Sequence, residues 1–400
     1  MKSFIDATYI TNVLKLKQFI NYVPLFTYVI LSIFISLFIV HRTTIPNGYN
    51  LYWFEPLTNG LRVTLFILGL IYCCGESKLK IIMCCCYFAF SFATYKIGNS
   101  WVLFDLLFIP LFLSKRLNLT IVIELFFYLI LLGTIVTIAL DLCGCLPKFP
   151  VNFYKGTQIR YNLGFSHPNS LGMMFMLMSM LLVLKVKKMN FLCFLSLSIL
   201  GSLCVILPKS YSSALIVYCL SLFSFFKMIS KNLSFEFSRK IVRFFALGVF
   251  SSVIIGTYVV ALTGWANDGL LNLPQSLLSR FILGAKAFTR YGFSLFGQDY
   301  HPVGTTAIMY GAAPSTYFVV DCLYFYMPIF VGVLPTLVYL SLFYRSAWIS
   351  IERANYALLF VLIMVSIYSI SEYLVVFPLF MFVYFDYGAQ IKQNSCVSFQ

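Results

Sequence analysis

The chain has 400 residues, of which 61% are hydrophobic and only 10% are charged, and its mean hydropathy is +0.91. Soluble domains carry about 25% charged residues and about half apolar ones. A chain this apolar cannot bury its side chains in one aqueous core, so the composition excludes an ordinary soluble domain and predicts an integral membrane protein. The apolar runs are continuous and about 20 residues long, which favours helices as the spanning elements.

The formal net charge of +15 does not indicate a nucleic-acid partner. The basic residues occur in short groups between apolar runs, as the positive-inside rule expects, and no soluble basic face is present to bind a polynucleotide. Most of the 12 cysteines lie inside apolar runs as small hydrophobic residues, so they indicate no disulfide framework.

Apolar runs predict an all-α polytopic membrane protein with about 12 transmembrane helices, forming a single domain over residues 1–400. The first run is long and lacks a small-residue cleavage site, which indicates a retained span. The predicted spans are 22–40, 57–74, 79–95, 101–113, 120–141, 169–184, 190–207, 211–228, 241–262, 316–343, 355–371 and 373–388.

Lysine and arginine predict the orientation of the bundle. If the N-terminus is cytoplasmic, every inner segment is basic, so we expect both termini to lie in the cytoplasm. Two polar loops then lie outside, at 142–168 and 263–315, and the second is a long loop between helices 9 and 10. Within it, residues 279–292 show apolar positions at helical spacing with basic residues between them, which predicts an amphipathic helix.

Basic residues in the outer loops oppose the topology rule. Loops need polar residues of some kind, but an anionic ligand on the outer face explains a cluster of cations better, and we favour that interpretation. The residues concerned are Lys155, Arg160, Lys209, Arg280, Lys286 and Arg290.

Four acidic residues lie in or at the ends of apolar runs, where an unpaired charge costs about 2.5–3.5 kcal/mol on insertion scales. We expect Asp105 and Glu124 to be structural, paired with Arg116 or a hydroxyl group. Asp321 and Glu372 are predicted to lie near the outer ends of their helices, on the side of the basic loops.

The stretch 160–172 combines an arginine, a histidine and turn residues directly before the run 169–184. We expect Asn169 or Ser170 to be the N-cap of that helix, after an extended approach that ends at Pro168. His167 has two interpretations, as a helix cap or as a group that contacts substrate.

Four segments in the second half of the chain share their order and their predicted side of the membrane. They are 164–172 (GFSHPNSLG), 208–213 (PKSYSS), 278–280 (LSR) with 291–298 (YGFSLFGQ), and 321–324 (DCLY) with Gly332. This set resembles the Wzy-type polysaccharide polymerases of bacteria, within the O-antigen ligase and polymerase superfamily. Two departures are Lys209, where arginine is usual, and Asp321, in a region where ligase-like relatives often carry histidine.

The resemblance implies a glycosyltransferase that joins oligosaccharide repeat units linked to undecaprenyl diphosphate at the outer face of the plasma membrane. Flippase and chain-length regulator proteins are the protein partners it implies, beside the lipid bilayer. Arginine forks suit the phosphate oxygens of such a donor. Arg160, Lys209, Arg280 and Arg290 are therefore the predicted diphosphate-binding residues.

A base must accept the proton of the attacking hydroxyl group. The predicted catalytic residues are His167 and Asp321, and His301 and Glu372 are held in reserve. No Walker A, GxGxxG, HExxH, paired CxxC or DxD motif is present, so we expect no cofactor and no metal.

Two alternatives stay open. The first is a ligase of the same superfamily, which passes glycan to another acceptor. The second belongs to another class, a polysaccharide flippase or other transporter, which also has about twelve spans and a basic character. Transporters usually show related halves and broken midplane helices, whereas polarity here is concentrated in the outer loops.

Overall fold

A computed structural model of the chain gives its helices and the packing of its side chains. The described residues are 2–48, 53–114, 117–148, 153–155, 158–186, 188–229, 239–263, 275–300, 302–304 and 317–385.

The first half of the chain is a series of helices with short connections. Its helices are α1 (Lys2–His41), α2 (Ile45–Gly48), α3 (Phe54–Cys74), α4 (Lys78–Gly98), α5 (Val102–Phe108, continued by a π-helical turn Ile109–Leu113) and α6 (Leu119–Leu142). A two-stranded antiparallel hairpin follows, with β1 at Phe153–Lys155 and β2 at Gln158–Arg160, and Phe153 pairs with Arg160.

The second half is also helical but less regular at its end. Its elements are α7 (Pro168–Lys185), α8 (Phe191–Ile206), α9 (Tyr211–Ile229), α10 (Arg239–Leu262), α11 (Gln275–Tyr291), α12 (Leu323–Tyr326, continued by a π-helical turn Met327–Val331), α13 (Val333–Glu352) and α14 (Tyr356–Ser371). Two 3-10 helices, Tyr373–Val376 and Pro378–Tyr384, end the described chain.

Seven helices in the described part of the chain are long and apolar enough to cross a membrane, in agreement with seven of the predicted spans. They are Tyr22–His41, Phe54–Cys74, Lys78–Gly98, Leu119–Leu142, Pro168–Lys185, Tyr211–Ile229 and Ile241–Leu262. Three further predicted spans are shorter apolar helices, namely Val102–Leu113, Phe191–Ile206 and Tyr356–Ser371. An all-α polytopic membrane protein is therefore the observed architecture.

Side-chain caps define where several of these helices begin. Asn118 Oδ1 accepts a hydrogen bond from the backbone N–H of Thr120 (3.0 Å), and Asn190 Oδ1 accepts one from Cys193 (2.9 Å). Asn355 caps α14 in the same way. Such caps satisfy backbone N–H groups that the first helical turn leaves unpaired.

Helix α7 lies at the centre of the bundle, packed among α6, α8, α9 and α14. Most of its side chains are buried, whereas the other long helices expose a larger share of theirs. Its core-facing positions are rich in methionine, a flexible residue that fills irregular gaps between helices.

The predicted span 316–343 is not one helix. The chain enters α12 only at Leu323, passes through the π-helical turn, and breaks at Gly332, where φ is +116°. A Cβ atom at Gly332 would lie 2.6 Å from the backbone nitrogen of Gly297, so the break is the place where the loop after α11 packs against the helix. Glycine permits both the backbone angle and the close approach.

The predicted span 373–388 is not an α-helix over the residues described. Its two 3-10 helices run through the interior: Tyr373 lines a cavity at the end where α7 begins, and Tyr384 lines one near Ser114, at the opposite end. Nearly every side chain from Leu374 to Phe385 is buried. Non-helical backbone at membrane depth is tolerated where protein surrounds it, and that condition is met here.

Asp105 is paired with a residue other than those expected. Arg62 of α3 donates Nε to Asp105 Oδ1 (2.7 Å) and Nη2 to Oδ2 (2.6 Å), while its Nη1 bonds to Asn59 Oδ1 (2.7 Å). The expected partner Arg116 lies outside the described residues. The bidentate geometry neutralises both buried charges, which supports a structural role for Asp105.

Candidate functional site

The loop before α7 is held by backbone bonds to the end of α1. Ser166 donates its N–H to the carbonyl of Arg42 (2.8 Å), and Thr44 donates to the carbonyl of Gly164 (2.8 Å). Gly164 has φ +80° and lies against Leu146 so closely that a Cβ atom would fall 2.6 Å from that side chain. This two-sided packing fixes the path of the chain into His167.

His167 is the N-cap of α7, and the expectation that Asn169 or Ser170 would fill this position is wrong. The Nδ1 atom of His167 accepts a hydrogen bond from the backbone N–H of Asn169 (3.1 Å), and the helix begins at Pro168. Proline suits this first helical position because it has no N–H to leave unpaired. Burial, with the nearby charges of Arg160 and Arg280, lowers the pKa of His167 to about 3, so the ring stays neutral.

Asn169 is not the N-cap of α7, and its side chain connects two charged residues. Its Oδ1 accepts a hydrogen bond from Nη2 of Arg160 (2.5 Å), and its Nδ2 donates to Oε1 of Glu372 (2.8 Å). Arg160 is anchored a second time, because its Nε donates to the carbonyl of Pro208 (2.8 Å). The arginine of the hairpin is thereby held against both α7 and the turn before α9.

Arg280 of α11 completes this arrangement from the other side. Its Nη2 lies 3.1 Å from Oε1 of Glu372, whose side chain is only 3% exposed. We refer to Arg160, Asn169, Glu372 and Arg280 as the arginine bridge. Burial raises the pKa of Glu372, against the opposing effect of Arg280 and Arg160, and the charges of Glu372 and Asp321 keep the pKa of Arg280 above its ordinary value despite burial. The Nη1 group of Arg280 is buried and has no hydrogen-bond partner among the residues described.

A polar cavity of about 430 Å³ lies on one side of the arginine bridge. Its walls carry His167 and Asp321, both predicted catalytic residues, together with Tyr317 and Tyr373. Burial, reinforced by the charge of Glu372 and opposed by Arg280, raises the pKa of Asp321 to about 7. A carboxyl group with such a pKa can gain or lose a proton near neutral pH.

Arg42 is a third arginine of this cavity that the sequence did not single out. Its guanidinium carbon lies 3.4 Å from the centre of the Phe377 ring, and its Nε atom is buried with no hydrogen-bond partner among the residues described. Burial lowers the pKa of Arg42, an effect that Tyr373 and Tyr326 oppose. Its sequence signal was a basic residue at the end of a predicted span, where long cationic side chains commonly reach the polar interface of a membrane.

An apolar groove of about 510 Å³ lies on the other side of the bridge. Arg160, Asn169 and Arg280 belong to the walls of both spaces, so the bridge separates them. The groove is otherwise lined by Lys209, Tyr211, Leu215, Ile216, Leu277, Ile367 and Ile370.

Lys209 belongs to the turn before α9, and this turn packs closely against α7. A Cβ atom at Gly172 of α7 would lie 2.5 Å from Cβ of Ser210, so glycine allows the turn before α9 to approach α7. Ser210 and Ser213 are hydrogen-bonded to each other in this turn (3.0 Å). The backbone of Lys209 adopts φ +49°, and its side chain lines the groove beside Arg160.

Two predicted site residues are not part of this arrangement as described. Arg290 is exposed and stacks on the rings of Tyr291 and Phe318, 5.2 and 5.6 Å from their centres, and it lines neither cavity. His301 lies outside the described residues. Arg160, His167, Lys209, Arg280, Asp321 and Glu372 are brought together at one end of the bundle.

Comparisons of the chain with protein-family models, with curated proteins and with solved structures find no match.

Proposed function

We propose that this chain is a membrane-embedded glycosyltransferase that polymerises oligosaccharides carried on undecaprenyl diphosphate. The observation that supports this most directly is the arginine bridge, which lies between a polar cavity and an apolar groove. An amphiphile whose anionic group joins a hydrocarbon chain to a glycan fits such a boundary. In this arrangement the polyprenyl chain occupies the groove, the diphosphate lies at the bridge, and the sugars lie in the polar cavity.

The charges at the bridge suit a diphosphate. Arg160 and Arg280 present planar guanidinium groups, which form bidentate, charge-assisted bonds with phosphate oxygens. Lys209 adds a point charge at the groove side, and Arg42 adds a third guanidinium on the cavity side. Glu372 is already bonded to Arg280 and to Asn169, so its role is to hold the bridge in position.

The reaction is a single displacement. An acceptor hydroxyl oxygen forms a bond to the anomeric carbon of the donor sugar while the bond from that carbon to the diphosphate oxygen breaks. The electron pair leaves with the diphosphate, whose growing negative charge Arg160 and Arg280 stabilise. The hydroxyl proton is transferred to Asp321, and direct displacement inverts the anomeric configuration.

Asp321 suits the role of base better than His167. The Nδ1 atom of His167 already accepts the Asn169 N–H, so a neutral ring carries its proton on Nε2 and offers no free acceptor. Asp321 lines the polar cavity and has a pKa raised to about 7, near the value at which general-base catalysis is most effective. We assign His167 to helix capping and to the wall of the cavity.

The test replaces Arg280 with lysine, which keeps the charge next to Glu372 but removes the planar fork. We expect Arg280→Lys to reach the membrane normally while long polymer falls about tenfold or more and single repeat units accumulate. Arg290→Lys is the matched control, because it makes the same change on the same helix away from both cavities. Polymer length is measured by gel electrophoresis of extracted glycan, and protein level by immunoblotting of membranes.

The alternatives predict different products. A ligase mutant would retain polymer on the lipid carrier but fail to transfer it to a second acceptor. Loss of a flippase would leave repeat units in the cytoplasmic leaflet. Wild-type polymer length in Arg280→Lys would contradict the role of the arginine fork.

A further inference from the structure

A second groove lies at the opposite end of the bundle from the arginine bridge. It has a volume of about 540 Å³ and is bounded by α3, α4, the π-helical turn after α5, and α13. Most of its wall is apolar, formed by side chains such as Met83, Cys86, Tyr87, Leu111 and Phe112. The proposed reaction uses none of these residues.

A small polar niche adjoins this groove. The niche has a volume of about 40 Å³ and includes Ser114 and Ser346, each 8% exposed. Leu111 and Arg345 line both the niche and the groove, so these two residues lie between the two spaces. An apolar groove that lies beside buried serine hydroxyls and an arginine has the polarity pattern of an amphiphile.

Arg345 gives this site its net charge. The other charged residues of the groove, Glu76 and Lys80, form an ion pair with each other, and Tyr72 also donates a hydrogen bond to Glu76 (2.9 Å). Arg345 forms no ion pair with another described residue. Among the residues described, Arg345 is therefore the charged side chain between the groove and the niche that has no ion-pair partner, and its guanidinium is able to pair with an anion.

This end of the bundle is the one that we predict to face the cytoplasm. Helix α4 begins here with Lys78 and Lys80, and in the sequence Ser114 is followed directly by Lys115 and Arg116. Anionic phospholipids of the cytoplasmic leaflet are attracted to such basic groups, and basic pockets between helices on this side bind lipid head groups.

We propose that this groove is a binding site for an anionic phospholipid. One acyl chain lies along Met83, Cys86 and Phe112, and the phosphate pairs with Arg345 and accepts hydrogen bonds from Ser114 and Ser346. Arginine recognises phosphate oxygens through charge-assisted bonds, and the buried hydroxyls supply neutral donors. The site is independent of the proposed glycan chemistry at the other end of the bundle.

Fluorescence quenching locates the lipid in the groove. The full-length variant Met83→Trp is purified in detergent and mixed with phosphatidylglycerol or phosphatidylcholine carrying brominated acyl chains, and the signal of the parent protein is subtracted. We expect brominated phosphatidylglycerol to quench the added tryptophan at about tenfold lower concentration than brominated phosphatidylcholine. Equal quenching by the two lipids would contradict the proposal.

Substitutions test the head-group contacts. In the Met83→Trp protein, Arg345→Gln should raise the half-quenching concentration of phosphatidylglycerol about tenfold, to that of phosphatidylcholine. Arg353→Gln is the matched control, since it removes an exposed arginine at the end of the same helix without touching the groove. The double change Ser114→Ala with Ser346→Ala should weaken quenching less than Arg345→Gln does. An unchanged response in Arg345→Gln overturns the proposal, as does an equal loss in Arg353→Gln.

Discussion

Arg280 and Glu372 are 92 positions apart in the chain, yet Nη2 of the arginine lies 3.1 Å from Oε1 of the glutamate. Arg280 belongs to the amphipathic helix α11, and Glu372 follows the last turn of α14. Their contact places a helix of the long loop over the end of the transmembrane bundle. It also completes the wall between the polar cavity and the apolar groove, so one ion pair organises both spaces.

Ionisation of Asp321 with rising pH should increase the activity of the protein and decrease its stability. As the proposed base it must be ionised, so polymer formation should increase as the pH rises through about 7. The folded pKa of Asp321 lies above its ordinary value of 3.8, so the folded protein binds more protons between these values. The contribution of Asp321 to folding stability should therefore decrease as the pH rises from 3.8 to about 7.

The variant Asp321→Asn separates the two effects. It should lower polymerisation by about 10²–10⁴-fold, the usual contribution of a general base, while raising the melting temperature at pH 8. Asp321→Glu keeps a carboxyl group and should retain part of the activity. Rates are measured on purified lipid-linked repeat units and melting by differential scanning fluorimetry. A variant that is both active and unchanged in stability would show that folding does not raise the pKa of Asp321 and that Asp321 is not the base.

His167 should contribute stability that is lost in acid. Its folded pKa of about 3 lies below the ordinary 6.5, so the unfolded chain binds the extra proton between these values. Stability from this group is present above pH 6.5 and decreases as the pH falls from there. At pH 5 we expect the loss to reach about 1–2 kcal/mol.

His167→Asn is the diagnostic substitution, because asparagine is a good N-cap that does not titrate. Its melting temperature should fall less steeply than that of the wild type between pH 6.5 and 5. His167→Ala should instead lose about 1 kcal/mol at pH 8 through the missing cap. Parallel pH profiles for the wild type and His167→Asn would contradict the low pKa of the buried ring.

Gly332 should tolerate substitution far less well than Gly292. A Cβ atom at Gly332 would meet three backbone atoms of the loop at 2.6–2.8 Å, at a φ of +116°. Gly292 has φ +67° and nothing within 4 Å of the added atom. Gly292→Ala should therefore cost only about 1–2 kcal/mol from backbone strain, whereas Gly332→Ala should cost more and loosen the loop. Chemical unfolding in mixed micelles compares the two, and equal costs would rule out the close packing of loop and helix.

The Arg62–Asp105 pair should be costly to break but not to replace. Asp105→Leu alone leaves the Arg62 guanidinium buried without its counter-charge, which typically costs about 3–5 kcal/mol. The double change Arg62→Met with Asp105→Leu removes both charges and should recover most of that loss. A double-mutant cycle of unfolding free energies measures the recovery. Additive losses would mean that the two side chains do not interact.

Much of the fold follows from the composition of the chain, because an apolar run of about 20 residues can satisfy its backbone in a membrane only as a helix. The predicted spans that agree with the structure are of this kind. The prediction is wrong where backbone is covered by protein on every side, as in the segment after Glu372. An apolar run does not distinguish an α-helix that contacts lipid from 3-10 turns enclosed by other helices.

The sequence alone determined that the chain is a membrane protein and that Arg160, Lys209, Arg280, Asp321 and Glu372 were unusual, because charge in an apolar chain is costly and needs a reason. Only the tertiary structure decided what these charges contact. Arg42 lines the cavity because α1 ends beside the loop before α7. Arg290 does not line it, because this residue lies on the exposed face of α11. Asn169 connects two charged residues because His167, and not Asn169, is the N-cap of α7. Each outcome depends on contacts between segments that are distant in the chain, and residue type and spacing carry no information about those contacts.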